Sequence, residues 1–517
     1  MKTKNQARKS KRKASVELEV ISDIYKDDEP VIEKIAKVES VQTRNCPYLD
    51  TINRHCLDFD FEKLCSVSLS QLNVYACLVC GKYYQGRGKA THAYTHSVDT
   101  AHRVFLNLST LKFYCLPDNY EIVDSSLEDI TYVLNPTYTE NYVTNIDNWS
   151  KLSRSIHGTT YHPGIVGLNN IKANDYCNVV LHALSMTPPL RNYFLRAENY
   201  ASLKRPPGDK MKPLITRFGE LIRKLWNPRN FKSHVSPHEM LQAVVECSEK
   251  RFQITVQGDA LEFMSWLLNA LHSALNGTKK INSSIIYKTF RGKVRVYSRK
   301  IPPIDADENE KVRLLRTEEY KEKREEMPFL YLTLDLPPAP LYRDEFLQNI
   351  IPQVPLGVLL SKYNGVSEKE YKTYKENFMK RFEIVQLPQF LLMYVKRFTR
   401  NNWFKEKNPT IVNFAIKNVD MYEYLARDVR DKYQHTSYDL IANVVHDGSP
   451  DTGKGTYRIQ VLHRGTNKWF ELEDLHVKEI LPQTITLTET IIQIYELNTE
   501  SVRETAEQPV AGNEAQG

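Results

Sequence analysis

Gly167-Leu168-Asn169-Asn170-Ile171-Lys172-Ala173-Asn174-Asp175-Tyr176-Cys177-Asn178 is the stretch on which the reading of this chain turns. It passes from a polar, asparagine-rich turn into a helix-like run from Tyr176 to Leu184. Asp175 stands at the junction, where aspartate is a favoured N-cap and its charge meets the positive end of the helix dipole. On the residues alone, Asp175 reads as a helix cap.

Downstream the pattern stays helical to about residue 275, with Phe263, Trp266, Leu267, Ala270 and Leu271 at three- and four-residue spacing. Strand-like runs follow: Phe329 to Leu336, Phe390 to Val395 and Tyr438 to Val445. Helices first and strands later predict an α+β body rather than alternating βαβ units. The charged segment 303–327 reads as a helical or mobile insertion between strands.

Upstream, residues 1–13 carry Lys2, Lys4, Arg8, Lys9, Lys11, Arg12 and Lys13 and no acid. The whole chain holds 70 Lys and Arg against 63 Asp and Glu, so the seven tail charges account for the entire net charge of +7. A formally neutral body argues against a broad nucleic-acid-binding surface. The basic tail reads as a nuclear localisation signal or an RNA-contacting arm. Hydrophobic content of 41% and charged content of 26% are those of a globular protein. No apolar run approaches the ~18 residues that cross a bilayer, and neither a secretory signal nor a membrane partner is expected.

Six of the eight cysteines, Cys46, Cys56, Cys65, Cys77, Cys80 and Cys115, fall within one 70-residue stretch. In a reducing compartment such clustering points to metal rather than to disulfides. Cys77-Leu78-Val79-Cys80 is a CxxC knuckle, followed by His96 and His102. Two thiolates and two imidazoles suit one tetrahedral structural zinc on Cys77, Cys80, His96 and His102. A DNA-reading finger does not fit: the stretch from Gly81 to Gly88 is too glycine-rich for a recognition helix, and the unit occurs once. Cys46, Cys65 and His92 offer material for a second zinc without a clean set of four.

Resemblance adds to this reading. Cys77-x2-Cys80-Gly81, the turn Gly86-Arg87-Gly88 and His92-x3-His96-x5-His102 resemble the UBP-type zinc finger. The stretch 167–178 resembles the cysteine box of the ubiquitin-specific proteases, roughly G-L-x-N-L-G-N-T-C-Y-M-N. Gln257-Gly258-Asp259-Ala260-Leu261-Glu262-Phe263 resembles their Q-Q-D-A-x-E-F box, and Leu387-Pro388 through Lys396-Arg397-Phe398 their L-P…L-K-R-F strand. Gly455-Thr456-Tyr457 resembles the G-H-Y of the histidine box, and Trp469 to Asp474 the W-Y-x-F-D-D end. The resemblance implies a papain-like fold of helical thumb, β palm and fingers. It puts Asp175 on the nucleophile, Thr456 on the general base, Glu473 on the orienting acid and Asn170 on the oxyanion-hole asparagine. Active members often carry two CxxC pairs in the fingers; the corresponding regions here, around 297–303 and 363–369, have no cysteine.

A carboxylate of ordinary pKa ~3.9 is a poor nucleophile toward an amide, and threonine cannot shuttle a proton near neutrality. Cys177 does not substitute, because two positions at a helix start turn a side chain by ~200°, and it falls on a core position of the family. His446 matches a structural position. The resemblance is strongest to inactive, splicing-associated members of the family, through Cys46-Pro47-Tyr48-Leu49-Asp50, Phe113 to Asn119, 167–175 and Trp226 to Phe231. It implies a nuclear, non-catalytic scaffold of the spliceosomal U4/U6.U5 tri-snRNP. The alternatives are a ubiquitin-binding reader acting through the zinc finger or a weak deubiquitinase using Cys177. The expected organisation is a disordered tail over 1–40, a zinc finger over 44–141, a linker over 142–164, a protease-like domain over 165–497 and a disordered tail over 498–517.

Overall fold

The computed structural model describes residues 46–302, 307–338, 351–372, 376–400, 405–451 and 453–500. The tail expected over 1–40 lies outside them, as does that over 498–517 apart from 498–500. The described residues form two compact units, one of residues 46–57 with Lys63–Glu128, the other of Asp58–Glu62 with the described residues from Asp129 onward.

The first unit is an antiparallel sheet of five strands in the order Tyr83–Gln85, Val74–Cys77, Val104–Asn107, Phe113–Cys115 and Tyr120–Ile122. One helix, His92–Thr100, links the outermost strand to the central one. It stops at Ala101, which is left-handed at φ 59. Tyr75, Cys77, Tyr84, Ala93, Phe105 and Leu116 form the core. The glycine-rich 81–88 stretch makes a short strand rather than a helix, as its composition predicts.

In the second unit the helices come first. Asp175–Ser185 is buried on every side, as a helix apolar all round must be. Met211–Leu225 instead buries one stripe, Leu214, Ile215, Phe218, Leu221, Ile222 and Leu225. Ala260–Ala274 is capped by Asp259, whose Oδ1 accepts the N–H groups of Leu261 and Glu262 at 2.9 and 3.0 Å. The palm is an eight-stranded sheet whose main order is Tyr331–Asp335, Phe390–Lys396, Thr490–Leu497, Ser437–Gly448, Gly455–His463, Lys468–Glu473 and His476–Ile480. The pairing of its first two strands is parallel and the rest antiparallel.

Three expectations change. The linker read over 142–164 is not one: Tyr138, Val143, Ile146 and Tyr161 pack into the core of the second unit, and the first unit ends at Glu128. The apolar run from Phe329 to Leu336 is not one strand, because the chain leaves one sheet at Phe329 and enters another at Tyr331. The 303–327 insertion is only partly helical: Glu308–Leu315 is a helix, while Lys323–Phe329 is a strand of the fingers.

The fingers are four antiparallel strands, Lys323–Phe329, Gly292–Lys300, Asn377–Gln386 and Lys369–Lys372. With no cysteine to bind metal, ion pairs knit them. Buried Arg295 donates to Glu383 at 2.7 Å, to Asp428 at 2.9 Å and to Glu326 at 3.1 Å. Arg299 pairs with Glu368, Lys300 with Glu376 and Glu319, and Arg381 with Glu322.

Residues Asp58–Glu62 strap onto the thumb. Lys224, buried, donates to Asp60 and to the Phe59 carbonyl at 2.9 Å each, and Asp60 also accepts the Ser236 N–H at 2.9 Å. Lys232 pairs with Asp58.

Candidate functional site

Two constellations carry the residues singled out by sequence, one in each unit. In the first unit the knuckle begins on the Val74–Cys77 strand and is closed by Gly81, whose N–H bonds the Cys77 carbonyl at 2.9 Å. Gly81 sits at φ +75, and a Cβ there would lie 2.3 Å from the Cys56 carbonyl oxygen, so only glycine fits. The helix then supplies His96, and the left-handed turn after it supplies His102.

The four donor atoms lie within 4.8 Å of one another. Cys77 Sγ is 3.5 Å from His102 Nδ1, Cys80 Sγ is 3.5 Å from His96 Nε2, and the two imidazole nitrogens are 3.1 Å apart. Ligand bonds of about 2.0–2.3 Å around a tetrahedral zinc give edges of about 3.3–3.8 Å, close to these three separations, so the donor set suits the ion. Tyr84 stacks on His96 at 4.2 Å between centroids. Burial and the neighbouring His102 hold His96 below its ordinary pKa, in the neutral form that ligates a metal. Among the described residues this is the one group of three or more such donors. Cys65 Sγ instead accepts the N–H groups of Val67 and Ser68, and Cys46 Sγ accepts the Tyr120 hydroxyl at 3.2 Å.

In the second unit, Asp175 is the first residue of its helix, and Asn174 occupies the N-cap. The cap reading of Asp175 is therefore corrected. Its main bonds cross the cleft: Oδ2 accepts from Gln257 Nε2 at 2.6 Å and from the Tyr457 N–H at 3.1 Å. Oδ1 is buried without a partner. Burial pushes the carboxyl above its ordinary pKa, against the pull of those two hydrogen bonds. Gln257 also donates to the Gly455 carbonyl and accepts the Gly453 N–H, both at 2.9 Å. Gln257 and Asp175 together tie the 453–457 segment to the helix start.

Thr456 takes no part in this network. Strand alternation buries Gly455 and Tyr457 and leaves Thr456 exposed. Glu473 is likewise exposed, at the end of its strand opposite His476. The carboxylate facing the cleft belongs to Asp474, at φ 49, a left-handed conformation that aspartate tolerates better than most residues. Asp474 accepts from Asn170 Nδ2 and from Asn178 Nδ2, each at 2.9 Å. One amide hydrogen of Asn170, the residue that the resemblance puts on the oxyanion position, is thus spent on a carboxylate.

Sequence reading missed Gln257, Asn178 and Asp474 as members of this network. Each lay inside a box quoted for other residues, and the adjacent acids at 473 and 474 were the available signal. Cys177 is buried, with its thiol pushed up by that burial. His446 is buried edge-on to Phe398 and Tyr457 and held down to about 4 by desolvation. Among the described residues no imidazole is hydrogen-bonded to Asp175.

Comparison with known proteins agrees with this architecture. A model of the Zn-finger in ubiquitin-hydrolases and other proteins matches residues 65–127, and one of ubiquitin carboxyl-terminal hydrolase matches residues 166–498. The human protein "Ubiquitin carboxyl-terminal hydrolase 39" is 64% identical over 478 residues, 92% of this chain and 84% of its own length. The Schizosaccharomyces pombe "Probable mRNA-splicing protein ubp10" is 45% identical over 87% of this chain and 88% of its own. The crystal structure of an essential yeast splicing factor superposes with a TM-score of 0.68 at 31% identity, over 87% of this chain and 99% of that one. The fold is α+β, a zinc-finger domain followed by a ubiquitin-specific-protease fold, and the chain belongs to the ubiquitin carboxyl-terminal hydrolase family.

Proposed function

We propose that this chain is a non-catalytic scaffold of the spliceosomal U4/U6.U5 tri-snRNP, supporting its assembly or stability in pre-mRNA splicing in the nucleus. The observation that supports the non-catalytic reading is Asp175, which the sequence resemblance puts on the nucleophile position and whose carboxylate accepts from the Tyr457 N–H and from Gln257. With Thr456 turned to solvent, neither nucleophile nor base is supplied. The splicing role rests on relatives named as splicing proteins, one of them 45% identical to this chain. One structural zinc on Cys77, Cys80, His96 and His102 holds the finger, and the basic tail of residues 1–13 serves as a nuclear localisation signal or an RNA-contacting arm.

Two experiments test this. A ubiquitin probe with a C-terminal electrophile should leave the full chain unlabelled, and labelling would overturn the non-catalytic reading. Depleting the protein from nuclear extract should lower the sedimenting tri-snRNP, with recovery on adding it back. An unchanged tri-snRNP would overturn the scaffold.

A further inference from the structure

From Phe263 to Pro302 the sequence holds eight lysines and arginines and no aspartate or glutamate. Arg295, Arg299 and Lys300 are consumed by the ion pairs of the fingers. The other five, Lys279, Lys280, Lys288, Arg291 and Lys293, have no carboxylate partner among the described residues. A body that is neutral in total is therefore strongly polarised here.

Of the five, Arg291 lines a cleft of about 430 Å³ together with Asn269, Tyr287, Phe329 and Tyr331, among others, and the four lysines lie within twelve residues of it in sequence. Tyr287 stacks on the buried His272 with ring centroids 3.5 Å apart and planes at 11°. The Arg291 guanidinium sits 4.6 Å from the Tyr287 centroid. Imidazole, phenol and guanidinium thus form a column. Its inner end is anchored where His272 Nδ1 meets Ser284 Oγ at 2.7 Å. Arg291 also donates to the Lys279 carbonyl, which fixes its plane without neutralising it.

A rigid guanidinium backed by an aromatic ring, with unpaired lysines beside it, matches a chain of phosphates joined to flat bases. An acidic peptide would satisfy the cations and leave the aromatic cleft unused. We propose that this face binds single-stranded RNA, with phosphates on Lys279, Lys280, Lys288 and Lys293 and a base against the Arg291–Tyr287–His272 column.

The test uses the full chain and a fluorescein-labelled uridine dodecamer, followed by anisotropy across a salt series. Changing Lys279→Ala, Lys280→Ala and Lys288→Ala together should weaken binding by about tenfold or more and reduce the slope of log K against log salt by about 2. Arg291→Lys keeps the charge, so the slope should hold while affinity falls by roughly tenfold with the lost stacking. Crosslinking the unmodified protein to the same RNA by ultraviolet light is independent of how any variant folds, and should mark Tyr287, Phe329 or Tyr331. Several results would overturn the proposal: no binding by the parent chain, unchanged binding by the lysine variant, or crosslinks confined to other segments. Displacement of the RNA by polyglutamate at matched charge would also overturn it and assign the face to an acidic protein segment.

Discussion

The Cys77 cluster and the Asp175 cleft are both gatherings of polar side chains beside a core, and they are completed in opposite ways. In the cluster, four lone-pair donors converge within 4.8 Å. A single cation would join all four at once. In the cleft, donors alternate with acceptors: Gln257 meets Asp175, Gly453 and Gly455, while Asp474 meets Asn170 and Asn178. That set is nearly complete in itself. A site that awaits something leaves like atoms facing each other, whereas a site that has become structure pairs unlike ones.

The contrast breaks most visibly on removing the zinc proposed for the cluster. Structural zinc sites contribute about 10–16 kcal/mol of apparent binding free energy, so chelation or Cys77→Ser should unfold the first unit. Amide hydrogen exchange should show protection lost over 65–127 and retained in the Asp175–Ser185 helix. Loss in both units would mean that they do not fold separately.

A smaller effect is expected in the cleft. Asp175→Ala strands the Tyr457 N–H and the Gln257 amide, at about 1–3 kcal/mol each, partly offset because a buried carboxyl disappears. A net loss of about 2 kcal/mol in denaturant unfolding follows, with Asp175→Asn costing less than about 1 kcal/mol because it keeps an acceptor. Asn as harmful as Ala would show that the negative charge matters and the hydrogen bonds do not.

Acid provides the next test. Burial holds His446 and His463 down to about 4 and His182 to about 3. The unfolded chain takes up these protons near the ordinary imidazole value, and the native state refuses them until the lowered values are reached. Stability is therefore intact above about pH 6.5 and falls by up to about 1.4 kcal/mol per pH unit per imidazole as pH drops toward 4. Melting temperature measured over that window should fall steeply, and His446→Gln should flatten the profile. A level profile would contradict the burial of these rings.

The smallest effects belong to the positions that sequence matching favoured. Thr456→Ala and Glu473→Ala should each change stability by no more than about 0.5 kcal/mol, since both side chains are exposed. A larger loss in thermal unfolding would show that they join the cleft network.

Legibility followed range. The knuckle and its histidines could be read because ligand spacing along 77–102 is a local property. The helix after Asp175 was readable because its apolar run is continuous, though its cap was misplaced by one residue. Asp175 to Tyr457 is a contact across 282 positions, and no periodicity encodes it. That Asp474 and not Glu473 joins Asn170 and Asn178 had a physical cause as well: a left-handed residue at the strand end turns its side chain off the alternation that pattern reading assumes. The fingers were legible only as missing cysteines. That Arg295 gathers Glu383, Asp428 and Glu326 required four separate segments to be in place.

The five residues at 58–62 carry a last consequence. A shortened chain beginning at residue 166, where the hydrolase family match starts, would contain every strand of the palm. It would also leave the Lys224 ammonium, whose side chain is 11% exposed, without Asp60. Removing one partner of a buried ion pair costs about 3–5 kcal/mol, a large share of what keeps a domain folded. The border drawn by sequence similarity and the border of cohesion are different lines. The thread between finger and hydrolase is sewn into the second before it finishes the first.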